Sequence, residues 1–131
     1  MRILIVEDSQ QQRDLYRLQL RDVVSEIVEV RNGYEACRQD WLTFDVVLLD
    51  LLMPGMHGGE VLAWAVDNYG LEMPPVVVFT ALSNGPLQEF TRKFGKFSVE
   101  IYQKTGKRDS VLRRIRDAIT SHENPHSSAT V

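Results

Sequence analysis

The feature that most constrains the fold is a run of four apolar residues, 46–49, that ends abruptly at Asp50. An apolar run between charged ends is typical of a strand buried on both faces of a parallel sheet. Because an ionised carboxylate is costly in a dry core, Asp50 is expected where the strand ends and solvent begins. Pro54, Gly58 and Gly59 predict a loop after it. Ligands of open α/β sheets bind beyond the carboxyl ends of the strands, so Asp50 is the first candidate functional residue.

Similar apolar runs recur along the chain. They predict strands at 2–6, 25–30, 76–80 and 99–103 in addition to the one at 45–50. Apolar residues at helical spacing between these runs predict five helices. Strands that alternate with helices imply a doubly wound five-stranded parallel sheet with helices on both faces. The predicted fold class is therefore α/β, a three-layer sandwich of the flavodoxin-like kind.

Local signals place the helix ends and faces. Asp8 or Ser9 can cap the first helix, which is expected to reach about residue 22 with Leu15 and Leu18 on one face. Either Asp109 or Ser110 is expected to cap the fifth helix. The second helix is expected to carry Tyr34, Ala36, Cys37 and Trp41. Gly70 is expected to end the third helix. Pro86 fits the first turn of the fourth helix, whose apolar face is Leu87, Phe90 and Phe94.

Length and charge narrow the function classes. A chain of 131 residues is the size of one domain, which we expect at 1–120, followed by a flexible polar tail at 121–131. The net charge of −3 gives no electrostatic case for nucleic acid binding, and no apolar run approaches the length needed for membrane insertion. Cys37 is the only cysteine, so no disulfide can form within the chain. A cytoplasmic setting fits these observations.

Four of the predicted strands end in residues with reactive side chains. Glu7 and Asp8 follow the first strand, Asp50 follows the third, Thr80 ends the fourth, and Lys104 follows the fifth. In a parallel sheet these side chains converge on one edge, where crowded carboxylates need a cation and suit Mg²⁺. A hydroxyl and an ammonium can hold the oxygens of a phosphoryl group, and a carboxylate can accept it as a nucleophile. The pattern predicts a phosphoryl-transfer site that has no glycine-rich phosphate loop.

The motifs at these positions are IVEDS at 5–9, NGYEA at 32–36, LDLLMPGMHG at 49–58, FTA at 79–81, and Lys104. Each motif is weak alone, but together, in this order and at strand ends, they resemble a response regulator receiver domain of the stand-alone chemotaxis-regulator type. The resemblance covers the chain from Arg2 to about Ile119. It implies a phosphorylation-activated protein of a two-component system or phosphorelay.

The resemblance also implies roles for individual residues. Asp50 would accept the phosphoryl group from a sensor histidine kinase or a phosphotransfer protein. Glu7, Asp8 and Asp50, with the backbone carbonyl of Leu52, would bind Mg²⁺ or Mn²⁺. Such a chain is not a conventional enzyme, but it catalyses its own phosphorylation and a slow autodephosphorylation.

Further implications concern the output of the domain. Thr80 and Lys104 would contact the phosphoryl group and report its presence to a surface formed by the fourth helix, the fifth strand and the fifth helix. An unknown downstream protein would bind there, and the chain would be a monomer or a phosphorylation-dependent dimer.

Two departures from the family pattern concern this switch. The family usually has proline after the lysine, often with a cis bond, but this chain has Thr105. Since a cis bond before a non-proline residue costs about 3 kcal/mol, a trans bond or a remodelled loop is expected. The family's switch aromatic usually lies three residues before the lysine, where this chain has Ile101, and Tyr102 follows it. Neighbouring strand residues face opposite sides, so Tyr102 is not a simple replacement.

Other function classes remain open from the sequence. A phosphatase of the haloacid-dehalogenase kind also uses a strand-end aspartate, but it needs a second aspartate two positions later, where this chain has Leu52. A degenerate receiver that acts only as a docking module is the other alternative. The complete set of site residues argues against it, and the altered neighbourhood of Lys104 argues for it. A flavin-binding protein of the same fold would need a phosphate-cradling loop, which the sequence lacks.

Leucines beside the predicted acceptor lead to a first prediction. Hydrolysis of an aspartyl phosphate needs a water in line with the phosphorus, and Leu52 and Leu82, two residues after Asp50 and Thr80, cannot hydrogen-bond one. Leu52→Asn combined with Leu82→Glu is expected to speed dephosphorylation several-fold, because polar side chains can position the water. Decay of the phosphorylated mass after donor removal measures the rate. Unchanged or slower decay would show that the leucines do not shield the phosphate.

Overall fold

The computed structural model describes residues 1–81 and 84–122, the side chain of Asn84 excepted. Its strands are β1 Arg2–Val6, β2 Glu26–Val30, β3 Val46–Leu49, β4 Val76–Thr80 and β5 Val99–Gln103. Its helices are α1 Gln10–Leu20, α2 Gly33–Ala36, α3 Gly58–Tyr69, α4 Asn84–Phe94 and α5 Arg108–Thr120, with short 3₁₀ turns at Trp41–Thr43 and Gly70–Glu72. The described strand pairs are all parallel, so the predicted α/β fold class is confirmed.

The order of the strands creates a crevice at one edge of the sheet. That order is β2-β1-β3-β4-β5, so the chain moves to one side of β1 and then returns on the other. Such a switch point is where doubly wound sheets bind ligands. Val6 of β1 pairs with Leu49 of β3. The residues that come next, Glu7 and Asp50, therefore begin side by side.

Alternation along the strands gives the sheet two apolar faces. Leu4 and Val6 belong to one core cluster, and Ile3 and Ile5 belong to the other, because successive strand residues point to opposite faces. The first cluster is covered by α2, α3 and α4, and the second by α1 and α5. Every residue of β3 is buried, as its apolar run predicts. The sheet is thus enclosed between two helical layers.

The buried face of α1 differs in part from the predicted one. Leu15 packs against the second core cluster as expected, but Leu18 is 59% exposed, whereas Tyr16 and Leu20, four residues apart, are buried. Arg13 is buried on the same side. The spacing of apolar residues predicted Leu18 on the buried face and left out Tyr16 and Arg13. A pattern of apolar residues gives no weight to side chains that bury a long stem and find a partner for the polar end. The face of α1 that meets the sheet is therefore partly polar.

The prediction that α2 extends toward Trp41 is wrong. The helix has four residues, Cys37 is its C-cap, and Trp41 begins a separate 3₁₀ turn. The buried indole Nε1 of Trp41 donates to the carbonyl oxygen of Ala36 at 2.9 Å. The same carbonyl also accepts from the Gln39 N–H at 3.2 Å, so the last carbonyl of the helix has two donors from beyond it.

The cap of α5 also differs from the prediction, while that of α1 does not. The N-cap of α5 is Lys107, whose side chain makes no capping bond, and Asp109 and Ser110 lie inside the first turn. Asp109 is favourable there because the N-terminus of a helix carries partial positive charge. At α1 the predicted Ser9 cap is confirmed, since its Oγ accepts from the backbone N–H of Gln12 at 3.2 Å.

Two expectations concern the ends and the surroundings of the domain. Of the predicted tail at 121–131, the structure describes residues 121 and 122, and residues 123–131 lie outside the described part. Ser121 is the C-cap of α5. In the described ranges, each helix is too short or too polar to cross a membrane.

A tight glycine at the start of α3 gives a test of this packing. A Cβ on Gly58 would lie 2.6 Å from Leu51 Cα and 2.7 Å from the Asp50 carbonyl oxygen, whereas one on Gly59 would meet Phe90 at 3.4 Å. Gly58→Ala is expected to lower the free energy of unfolding by roughly 1–3 kcal/mol, because rigid backbone must move. Gly59→Ala is the matched control and should be neutral or stabilise by up to about 1 kcal/mol. Urea denaturation compares them, and equal stability of the two variants would contradict the packing described.

Candidate functional site

The structure brings the predicted reactive side chains to the carboxyl edge of the sheet. Glu7 and Asp8 follow β1, and Asp50 follows β3. Each of these three residues has a carboxylate oxygen within 4.8 Å of the others. Lys104 follows β5, and its Nζ lies 3.6 Å from Glu7 Oε1 and 3.6 Å from Asp50 Oδ2. One ammonium thus faces two carboxylates.

Backbone hydrogen bonds extend past the strand ends and fix this arrangement. The N–H of Glu7 donates to Val30 O at 3.2 Å, and the N–H of Asp50 donates to Val6 O at 3.1 Å. The N–H of Lys104 donates to Thr80 O at 2.7 Å. Each reactive side chain therefore starts from backbone that is still held by the sheet. Flexible loops do not have to order before the site exists.

Glu7 carries the least favourable environment of the carboxylates. It is only 2% exposed, and its Oε2 accepts no hydrogen bond from any described residue. Burial, followed by the negative charge of Asp50, raises the pKa of Glu7 from an ordinary value of 4.5 to about 8, although Lys104 opposes the change. Without a further positive charge, the site therefore keeps a proton on Glu7 near neutral pH.

Lys104 remains charged in this environment. Burial disfavours its ammonium, but Tyr16, Asp50 and Glu7 together outweigh burial and raise the pKa of Lys104. The two pKa values rise for different reasons: that of Glu7 rises through burial and the charge of Asp50, whereas that of Lys104 rises because its neighbours outweigh burial. One ammonium does not offset both carboxylates.

The residues present fit a divalent cation. Three carboxylates lie together, and one buried carboxylate oxygen has no partner among the residues that the structure describes. Hard oxygen ligands of this kind suit Mg²⁺, Ca²⁺ or Mn²⁺. A cation there would replace the proton on Glu7 and supply the charge that Lys104 alone cannot.

Residues predicted around this centre are placed as follows. Leu52 is exposed, and its N–H donates to Asp50 Oδ1 at 3.1 Å, so the loop folds back on the carboxylate. That the backbone carbonyl of Leu52 is a metal ligand stays a prediction. Thr80 is fully buried at the end of β4. Leu82, the other leucine predicted to shield the site, lies outside the described residues.

The two candidate switch positions lie on opposite sides of the sheet. Ile101 packs against the cluster covered by α3 and α4, whereas Tyr102 packs against the cluster covered by α1 and α5. Tyr102 stacks on Phe79 with ring centroids 4.9 Å apart. The expectation that the two side chains face opposite sides is therefore confirmed, and the expectation that Tyr102 does not replace the aromatic at position 101 stays a prediction. The Lys104–Thr105 bond is trans, as expected, as are the other peptide bonds of the described ranges.

Two residues of the site region were missed at the sequence level. Arg13, 4% exposed, donates from Nη1 to the backbone oxygen of Glu7 at 2.6 Å and lies 3.6 Å from Glu29 Oε1. Tyr16, 3% exposed, lies close enough to Lys104 to help raise the pKa of that lysine. The two are three residues apart on α1, on the face that also carries Leu20. The sequence signal that could have found them is their helical spacing from Leu20, which places Arg13 and Tyr16 on the buried face of α1.

Fold and site together define a doubly wound domain with an acidic, lysine-containing edge at its switch point. The chain belongs to the response regulator receiver domain family, whose sequence model matches residues 3–116. Receiver domains act in two-component signalling and take phosphoryl groups from histidine kinases.

Similar proteins support this membership. Polar-differentiation response regulator DivK of Brucella anthropi is 31% identical over 96 residues, covering 71% of this chain and 76% of that protein. Sensor protein GacS of Pseudomonas syringae pv. syringae is 34% identical over 87 residues, which cover 61% of this chain but 9% of that protein. The Mn²⁺-bound form of response regulator Rcp1 has a similar fold, with a TM-score of 0.77, 24% identity, and coverage of 94% of this chain and 95% of that one.

The environment of Glu7 predicts how metal-free stability depends on pH. Because the folded protein binds the Glu7 proton more tightly than the unfolded chain, stability falls as pH rises from 4.5 to about 8. In EDTA, the contribution of this group reaches at most about 1.4 kcal/mol per pH unit. Glu7→Gln should flatten the decrease, and Glu72→Gln, at an exposed position, should leave it unchanged.

Urea denaturation in EDTA between about pH 6 and about pH 8 measures the free energy of unfolding of all three proteins. Added Mg²⁺ should reduce the pH dependence of the free energy of unfolding in the wild type, because the cation replaces the proton on Glu7. If wild type and Glu7→Gln lose stability equally, Glu7 does not carry the proton.

Proposed function

We propose that Asp50 accepts a phosphoryl group from a phosphohistidine donor. The observation that supports this most is the position of its carboxylate: Oδ2 lies 3.6 Å from Lys104 Nζ, and Oδ1 accepts from the N–H of Leu52. Asp50 is partly buried at the switch point, so it is held by the protein and still reachable from solvent.

The transfer follows from these contacts. A carboxylate oxygen of Asp50 attacks the phosphorus, the P–O bond forms as the donor's P–N bond breaks, and the electron pair returns to the imidazole nitrogen, which takes a proton. Lys104 stabilises the negative charge on the phosphoryl oxygens. Thr80 contributes its hydroxyl to the same oxygens, as its place at the end of β4 suggests.

The cation in this proposal is Mg²⁺, or Mn²⁺ in its place. Glu7, Asp8 and Asp50, with the backbone carbonyl of Leu52, would hold it, and it would supply positive charge to the phosphoryl oxygens. The carboxylate cluster supports the assignment, and the similar structure of response regulator Rcp1 is a Mn²⁺-bound form. Hard oxygen ligands and open positions favour Mg²⁺ over softer ions.

The signalling context of the chain is also proposed. A sensor histidine kinase or a phosphotransfer protein supplies the phosphoryl group, and a downstream protein binds the surface of α4, β5 and α5. The domain at 1–120 carries the chemistry, and the chain works in the cytoplasm. It is a monomer, or a dimer formed on phosphorylation, and it catalyses its own phosphorylation and slow dephosphorylation.

A docking module without phosphorylation is the second candidate. The altered neighbourhood of Lys104 favours it, because Thr105 follows the lysine and Ile101 occupies the usual position of the aromatic. The contacts of Lys104 with both Glu7 and Asp50 favour the acceptor function instead. Leu52 leaves no acid where a phosphatase of the haloacid-dehalogenase kind needs one.

Intact mass measurement tests the acceptor. After incubation with acetyl phosphate and Mg²⁺, the wild type should gain the mass of one phosphoryl group, and Asp50→Asn should gain none. Asp67→Asn, at an exposed position of α3, is the matched control and should be labelled like the wild type. Asp8→Asn should need a higher Mg²⁺ concentration for the same labelling, because one cation ligand is weakened.

Unchanged mass of the wild type, or equal labelling of Asp50→Asn, would overturn the acceptor assignment and favour the docking module. Labelling of the wild type that persists at the same level in EDTA would overturn the cation requirement alone.

A further inference from the structure

A surface groove, the α3–α4 groove, runs between these two helices and begins at the loop that follows Asp50. Its volume is about 600 Å³, and a smaller hollow of about 210 Å³ continues it toward the far ends of the helices. The two hollows share Ala63, Lys93 and Phe94, so they are continuous. The groove is formed by α3 and α4, whereas the output surface proposed above is formed by α4, β5 and α5.

The two walls of the α3–α4 groove differ in the size of their side chains. On α3, Gly59 and Ala63 lie four residues apart and line the groove, which keeps that wall low. On α4, Phe90 and Phe94 repeat at the same spacing, with ring centroids 4.7 Å apart. A Cβ on Gly59 would lie 3.4 Å from the Phe90 ring, so the glycine admits the aromatic wall at that level. Small side chains opposite aromatic ones leave a recess that apolar side chains of another molecule can fill.

The end of the groove beside the acceptor loop is also apolar. Leu51, Leu52 and Met53 line it, and the side chain of Leu52 is 48% exposed. Contiguous apolar surface of this kind is unfavourable in water and marks sites of interaction in soluble proteins. The volume of the groove falls within the range of binding pockets, about 300–1,000 Å³. The groove is therefore large enough to bury several apolar side chains of a binding partner.

The shape of the groove favours a helix over a compact small molecule. Its α3 wall extends from His57 to Asp67, which is about 15 Å at the helical rise of about 1.5 Å per residue. The groove is open to solvent along this length, since Glu60, Glu89 and Lys93 on its rim are exposed. A long, open groove lined by residues at helical spacing fits the apolar face of an amphipathic helix.

The rim of the groove is acidic in one half and basic in the other. Glu60 on α3 and Glu89 on α4 belong to the half nearer the acceptor loop. Lys93 and Lys96 belong to the far half. Each of these two ammoniums lies over the aromatic ring of the next residue, 5.4 and 5.3 Å from the ring centroid, and this contact holds the lysines in place.

Two further charged groups moderate this gradient without removing it. His57 Nε2 lies 3.4 Å from Glu60 Oε1, so a protonated His57 offsets part of the acidic half. Asp67 lines the far half, where the two lysines outnumber it. A partner that matches the groove is therefore basic at the end that lies beside the acceptor loop and acidic at its other end.

We infer that the α3–α4 groove binds an amphipathic helix of a partner protein. The apolar side chains of this helix fill the recess, its acidic first turn lies beside Lys93 and Lys96, and its basic last turn lies beside Glu60 and Glu89. This polarity also suits the partner, because acidic residues in the first turn and basic residues in the last turn stabilise a helix. The inference goes beyond the proposed acceptor function and does not depend on it.

A stapled synthetic peptide tests the inference. The probe is a fluorescein-labelled helix of about four turns, with leucines at three- and four-residue spacing, glutamates in its first turn and lysines in its last turn. Fluorescence polarisation should show binding to the wild type with a Kd on the order of 10–100 μM. Ala63→Leu should weaken binding at least roughly tenfold, because the larger side chain occupies the recess. Asn68→Leu, at an exposed position of α3 outside the groove, is the matched control and should bind like the wild type.

A charge reversal tests the chemistry of the partner. Glu89→Lys combined with Lys93→Glu reverses the gradient on α4 and leaves the net charge of the protein unchanged. Both positions are exposed, so the fold is not at risk. The double variant should bind the peptide roughly three- to tenfold more weakly, the effect expected of two exposed charge pairs. A second peptide of the same composition and helicity, with lysines first and glutamates last, should show the opposite preference between the two proteins.

Several outcomes would overturn the inference. The helix is not the occupant if the peptide does not bind the wild type, and the groove is not the site if Ala63→Leu binds the peptide as tightly as the wild type does. Equal affinity of the two peptides for the wild type would show that the rim charges do not select the partner. Octanoate that binds the wild type but not Ala63→Leu, without any binding of the peptide, would assign the groove to a small amphiphile. A wild-type dimer in sedimentation equilibrium that Ala63→Leu dissociates would assign it to a second copy of the chain.

Discussion

The parallel pairing of β1 with β3 is the constraint on which the rest of the site depends. Val6 pairs with Leu49, so the next residues, Glu7 and Asp50, leave the sheet side by side. The N–H of Asp50 donates to Val6 O, which carries the pairing one residue beyond the strands. Two carboxylates are thereby forced together at a half-buried edge, and their repulsion must be offset by something positive.

Lys104 offsets this repulsion only in part. Its ammonium is equally distant from Glu7 and Asp50, and the pKa of Glu7 is still raised to about 8 because Glu7 is buried and close to Asp50. The electrostatic imbalance links stability to function, since the charge that the folded domain lacks is the charge that phosphoryl transfer uses. The proposed cation would stabilise the folded domain by supplying that charge.

The two helical layers contribute differently to this edge. The layer of α1 and α5 supplies a polar anchor, Arg13, beside an otherwise apolar contact. The layer of α2, α3 and α4 supplies tight backbone packing instead, as Gly58 shows by its closeness to Leu51. Tyr102 of β5 stacks on Phe79 of β4 on the side of the sheet that α1 and α5 cover. This aromatic contact therefore faces α1 rather than α4.

The sequence by itself determined the fold class, the five strands and the residues that end them. Buried parallel strands read as apolar runs, and a charge such as Asp50 can follow only where the run leaves the core. It also fixed that Ile101 and Tyr102 face opposite sides, because side chains alternate along a strand.

Only the tertiary structure decided the length of α2, the buried face of α1 and the contacts of Arg13 with Glu7 and Glu29. The buried indole of Trp41 donates to the Ala36 carbonyl, and the buried guanidinium of Arg13 donates to the backbone oxygen of Glu7 and lies near Glu29. Local patterns rank residues by polarity, whereas burial of a polar group depends on a partner that folding brings from elsewhere in the chain.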